Sequence, residues 1–181
     1  MRAPFRAPAL LLSALAALAP RVAAQSLQRL SLQASGAALF ATKKDPNFDS
    51  KTRLGFEGQA RYTFGRWSLG AGYQRSTVFA FKGNSLRMAL SLGFIEPRYV
   101  VTAGGGVALY LAGRVGVGKL VCSQSGQCNT GGTNIAYGGG GGLLFRLSKR
   151  LSADAGAQFF QVDGTLSSGY AMARLGLGVG L

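Results

Sequence analysis

The chain has 181 residues, 28 of them glycine, none histidine, and a formal charge of +14 from 20 Lys and Arg against 6 Asp and Glu. That length allows one domain, or two only if both are small. An ordinary apolar share of 48% with only 14% charged residues argues against disorder, glycines without a three-residue period exclude collagen, and the lack of an imidazole excludes any mechanism that needs a histidine of this chain.

Residues 1–24 read as an address. Arg2 and Arg6 give a positive start, residues 9–19 form an apolar stretch broken only by Ser13, and Pro20 ends it. Val22, Ala23 and Ala24 then place small residues where a signal peptidase reads, which is the layout of a cleaved secretory signal. The apolar stretch is shorter than the roughly 20 residues of a membrane-spanning helix. The folded domain is therefore expected over 25–181.

From there the chain alternates with a period of two. In residues 27–40, Leu30 and Leu32 oppose Arg29, Ser31 and Gln33, less regularly toward Leu39. Over 52–64, Leu54, Phe56, Ala60, Tyr62 and Phe64 share one face and Arg53, Glu57, Gln59 and Arg61 the other. Next, Leu69, Ala71 and Tyr73 oppose Gln74 and Ser76, and Leu86, Met88, Leu90, Leu92 and Phe94 oppose Arg87, Ala89, Ser91 and Gly93. A fifth segment from Tyr99 sets Val101, Val107, Leu109 and Leu111 against Thr102, Tyr110 and Arg114. The last three set Ile135, Tyr137 and Leu143 against Asn134 and Arg146, then Ala155, Ala157 and Phe159 against Asp154 and Gln158, and finally Leu175, Leu177, Val179 and Leu181 against Tyr170, Met172 and Arg174. This alternation predicts eight strands. Tight connections at Gly65-Arg66, Glu96-Pro97 and Ser148-Lys149-Arg150 separate them from longer ones at 42–51, 79–85, 119–133 and 163–168. The glycine runs 104–106 and 138–142 read as strand passing through close-packed wall; the second lacks the helix and the Lys-Ser or Lys-Thr ending of a phosphate loop.

Strands of about 10 to 14 residues exceed the five or six usual in soluble sheets and match those that cross a hydrocarbon layer at a tilt. The apolar face carries bulky Leu, Phe and Tyr, and the opposite face mixes glycine with Arg53, Glu57, Arg61, Arg87, Asp154 and Arg174. Glycine beside long charged side chains suits the inside of a narrow barrel. The bulky face is accordingly read as lipid-facing, the polar face as a lumen with an internal charge network. Tyr62, Phe64, Trp67, Phe94 and Tyr99, near the tight turns, are the expected interfacial aromatics. The expected fold is an all-β, eight-stranded, antiparallel up-and-down transmembrane β-barrel. Closing the sheet satisfies every backbone group in lipid.

Cys122 and Cys128 flank a flexible polar stretch and are expected to form one disulfide loop in an oxidising compartment. No metal or other cofactor is expected. Lys43, Lys44, Lys51, Lys82 and Lys119, assigned to the long connections, are candidate contacts for outer-leaflet phosphates or anionic surface polymers. Nucleic acid is not expected as a partner, because the arginines fall mainly on the lumen face and no exposed surface alternates aromatic and basic residues.

With this pattern the sequence resembles the small eight-stranded outer membrane β-barrel proteins of Gram-negative bacteria, the group with the OmpA-like transmembrane domain, OmpX-like and opacity-type barrels. The resemblance covers 25–181 and rests on the alternation, with the segment 93–99, Gly-Phe-Ile-Glu-Pro-Arg-Tyr, as a local echo. It implies short turns in the periplasm, long loops outside, and insertion by the outer membrane assembly machinery. Enzymes on such barrels, lipid A deacylases and palmitoyl transferases, use a Ser with a His, and this chain has no His. The reading is non-enzymatic: a structural or surface-interaction protein of the outer membrane. The alternatives are a narrow anion-favouring channel, and an exported soluble barrel with swapped faces that binds an apolar ligand.

Overall fold

The computed structural model describes residues 29–42, 53–80, 87–122, 132–163 and 168–181. The segment 1–24, Lys43, Lys44, Lys51, Lys82 and Cys128 lie outside these residues, as do the side chains of Arg87 and Cys122.

The strands are β1 (Leu30–Ala41), β2 (Arg53–Phe64), β3 (Trp67–Ala80), β4 (Arg87–Gly104), β5 (Val107–Cys122), β6 (Asn134–Arg146), β7 (Leu151–Asp163) and β8 (Ser168–Gly180). Each pairs antiparallel with its neighbours in sequence, and β1 meets β8 from Ser31↔Gly180 to Ala41↔Tyr170, closing an eight-stranded barrel. Closure removes both sheet edges, so the wall carries no open row of backbone donors and acceptors. Tight turns join β2 to β3, β4 to β5 and β6 to β7 at one end; the long connections leave from the other.

One expected turn is wrong. Glu96 and Pro97 lie inside β4, which runs for 18 residues, and the reversal falls at Gly105 and Gly106. Their φ values of 59° and 84° meet the demand of a type I′ hairpin turn for positive φ at both central residues. The run 104–106 is thus a turn rather than mid-strand wall. Pro97 lacks an N–H, and the β4–β5 ladder passes from Ile95↔Val115 to Arg98↔Ala112 without a rung between, yet in unchanged register. Proline here breaks two rungs rather than the strand.

The faces of β4 are also the reverse of those expected, because bulky residues here fill the interior. Leu90, Leu92 and Phe94 are buried inside with Glu96 and Arg98, while Gly93 and Ile95 face out. Phe94 therefore leaves the interfacial set. Lys119 also moves: it is an exposed residue of β5, opposite Ser91, not part of a loop. On β2, β3, β5, β7 and β8 the described faces are those expected.

The interior is zoned along the barrel axis. Toward the long-connection end Leu39, Leu90, Leu92, Phe94, Phe160 and Met172 belong to one buried apolar cluster. Phe160 and Tyr170 stack there with centroids 5.5 Å apart. Below it, from the level of Arg174 to the tight turns, the interior is polar and charged. The lumen expected to be polar throughout is polar over only part of its length, which is why bulky residues occur on both faces of β4.

Candidate functional site

Alternation on five strands converges long polar side chains on one point, the carboxylate of Glu96. It is fully buried on β4. Its Oε1 accepts from Arg61 Nη2 on β2 at 2.8 Å, Arg98 Nε at 2.7 Å and Arg174 Nη2 on β8 at 3.1 Å. Its Oε2 accepts from Arg114 Nε on β5 and Gln158 Nε2 on β7, both at 2.9 Å, and from Arg174 Nη1 at 2.9 Å. Two further carboxylates complete the set. Asp154 Oδ2 takes Arg98 Nη1 at 2.7 Å, and Glu57 bridges Arg174 Nη1 at 3.0 Å and Arg114 Nη1 at 2.9 Å.

Burial of these charges is tolerable only because each faces an opposite charge with directed hydrogen bonds. Neutral groups fill the remaining valences. Tyr110 Oη donates to Asp154 Oδ1 at 3.2 Å and accepts from Arg174 Nη2 at 3.1 Å, and Gln74 Oε1 accepts from Arg114 Nη1 at 2.7 Å. The planar guanidiniums also stack: Arg98 lies 4.4 Å from the Tyr110 ring centroid and Arg114 3.9 Å from that of Phe94.

Of the expected lumen charges, Glu57, Arg61, Asp154 and Arg174 come together here. Arg53 stands half-buried at the far end of β2, opposite Leu39. Three members were missed: Glu96 and Arg98, assigned to a turn and its flank, and Arg114, seen on the correct face but not among the site residues. The signal that could have found them is parity. Residues 90, 92, 94, 96 and 98 share one face, and two of the five are charged.

Tyr62, Phe64 and Trp67 are exposed near the β2–β3 turn, and the rings of Trp67 and Tyr99 pack 4.9 Å apart across β3 and β4. Among the described residues no group of three or more His, Cys, Asp or Glu is placed to hold a metal ion. The three network carboxylates are each engaged by guanidinium.

No protein-family model matches the sequence, and no curated protein does. Solved structures do resemble the fold. Neisserial surface protein A is 18% identical with a TM-score of 0.71, over 84% of this chain and 97% of that one. Ail of Yersinia pestis is 18% identical with a TM-score of 0.53, over 83% and 95%, and a second Ail structure, 17% identical with a TM-score of 0.52, contains the heparin analogue sucrose octasulfate. The N-terminal β-barrel domain of Pseudomonas aeruginosa OprF is 16% identical with a TM-score of 0.53, over 84% and 97%. A closed, all-antiparallel ring of eight strands with a network of buried ionic residues inside has the fold of the small eight-stranded outer membrane β-barrels.

Proposed function

We propose that this chain is a non-catalytic, non-conducting barrel of the outer membrane, with a structural or surface-interaction role. The observation that carries the reading is the outer wall. Leu54, Phe56, Leu111, Val117, Leu175 and Leu177 stand exposed on it, with Leu54 at 75% and Leu175 at 71%. A soluble monomer seldom exposes apolar patches beyond a few hundred Å², whereas an outward apolar band flanked by aromatics suits lipid. Tyr62, Phe64, Trp67 and Tyr99 serve as that flank at the tight-turn end. Export on residues 1–24 and insertion by the outer membrane assembly machinery belong to the same reading.

The interior favours a plug over a path. Four guanidiniums are cross-linked by three carboxylates, and the apolar cluster lies between them and the long-connection end. That counts against the anion channel. An apolar ligand has no evident place either, since the apolar interior is occupied by the barrel's own side chains. For partners, Arg75 and Lys119 stand exposed on either side of Ser91 in one row across β3, β4 and β5. Strand spacing puts them about 10 Å apart, positioned for the phosphates of outer-leaflet headgroups. The sulfated ligand of the Ail structure supports a wider reading in which Lys43, Lys44, Lys51 and Lys82 meet anionic surface polymers.

The test is fractionation with heat-modifiability, followed by planar-bilayer recording. The expected result is protein in the outer membrane fraction, a gel-mobility difference between unboiled and boiled samples, and no anion-selective conductance. Soluble periplasmic protein without a shift would sink the membrane reading. Steady anion current would replace the plug with a channel.

A further inference from the structure

Below the charge network, at the tight-turn end, the interior opens into a cavity of about 60 Å³. A cavity needs only about 10–15 Å³ to hold one water, so this one has room for several waters or one tetrahedral oxyanion. Arg61, Arg98, Gln33 and Ser68 line it on the network side, and Lys149 and Arg150 of the β6–β7 turn line its mouth. Every ionisable group among the described lining residues is a cation, and none is a carboxylate.

Two lining residues carry a buried donor without an acceptor. Gln33 Oε1 accepts from Gln59 Nε2 at 2.9 Å and from Arg98 Nη2 at 3.4 Å. Those two donors fix the orientation of the amide, because a flip would set donor against donor. Gln33 Nε2 is left buried without a partner, on a residue only 8% exposed. Arg61 Nε is likewise buried without an acceptor. Buried donors are rarely left unsatisfied without cause. Both belong to residues that line one cation-rich cavity.

We propose that this vestibule binds a small oxyanion of phosphate or sulfate chemistry, entering from the tight-turn side. The side chains of Gln33, Arg61 and Arg98 line the floor, and Lys149 and Arg150 supply charge at the mouth. The oxyanion is either a free ion or the terminal group of a larger molecule whose remainder stays outside. The inference is independent of the membrane reading, since binding is measured on folded barrel in micelles.

The experiment titrates inorganic phosphate into the refolded barrel in detergent at low salt, by calorimetry, with chloride and acetate as controls. The expected result is saturable binding of one phosphate per barrel, weakened by added salt. Lys149→Ser with Arg150→Ser, on an exposed turn, should keep the heat-modifiable gel shift and lower affinity at least tenfold. Gln33→Leu should lower it several-fold; if that variant does not fold, the turn variant decides. A monoalkyl phosphate that binds as well as phosphate assigns the site to a terminal group, and binding of phosphate alone assigns it to the free ion; either outcome sustains the proposal. It is overturned if wild-type protein shows no saturable phosphate binding, if acetate binds as tightly, or if the turn variant binds like wild type.

Discussion

Glu96 is the acceptor on which Arg61, Arg98, Arg114 and Arg174 all converge. Deleting its charge leaves guanidiniums facing one another in a buried interior, whereas Glu57 contacts only Arg114 and Arg174 among the ion pairs. Removing one partner of a buried ion pair costs about 3–5 kcal/mol. Glu96→Gln is therefore expected to fall in that range and Glu57→Gln below it, read from guanidinium unfolding of the folded barrel. Equal losses would mean that the network has no hub. The network also depends on absent side chains. A Cβ at Gly156 would lie 2.7 Å from Tyr110 Oη and 3.2 Å from Arg174 Nε, so Gly156→Val must push the phenol off Asp154. Overpacking of this kind costs about 1–3 kcal/mol, and Gly36→Val, with open space around the same position, is the matched control expected to show far less loss in the same unfolding assay.

At the scale of the strand, β4 and its turn distinguish conformational from compositional signals. Gly105 and Gly106 both hold positive φ, where an L side chain costs roughly 1–2 kcal/mol. Gly105→Ala with Gly106→Ala should accordingly slow refolding or lower stability. Pro97→Ala, at a position already without a β5 rung, should change stability by no more than about 0.5 kcal/mol, the usual size for such surface changes. The opposite ranking would restore Glu96-Pro97 as the reversal. Glycine clusters and a proline beside a charge both look like turns in a sequence, and only backbone φ separates them. On β2, β3, β7 and β8 the faces were legible because one side of each strand is charged or small and the other bulky. On β4 the local rule that bulky means lipid failed, because the barrel fills part of its own interior with Leu90, Leu92 and Phe94. The charge network was half legible for the same reason: Glu57, Arg61, Asp154 and Arg174 lie on strands with one polar face, whereas Glu96 and Arg98 follow three apolar residues on theirs. The vestibule was not legible at all. It depends on Lys149 and Arg150 closing over Gln33 and Arg61 across the ring, a juxtaposition that no spacing along the chain encodes.

For the whole molecule, the solvent around the wall decides what its apolar residues contribute. In water, an exposed Leu175 adds nothing and a charge there would be harmless or solubilising. In lipid, an arginine costs about 2–4 kcal/mol at the bilayer midplane and only 0–1 kcal/mol near the interfaces. Leu175 lies midway along β8, and Val179 lies near the tight-turn end, paired with Leu32 and Leu151. Leu175→Arg should then destabilise the barrel in phospholipid vesicles by about 2–4 kcal/mol, and Val179→Arg by less than about 1 kcal/mol. Neither side chain points into the interior, so the network and the apolar cluster are untouched and the difference reports depth alone. Reversible guanidinium titration of the two variants in vesicles measures it. A depth-dependent penalty means that lipid surrounds the wall. Two equal and negligible values would mean that water does, and the closed barrel would have to be explained as a soluble one.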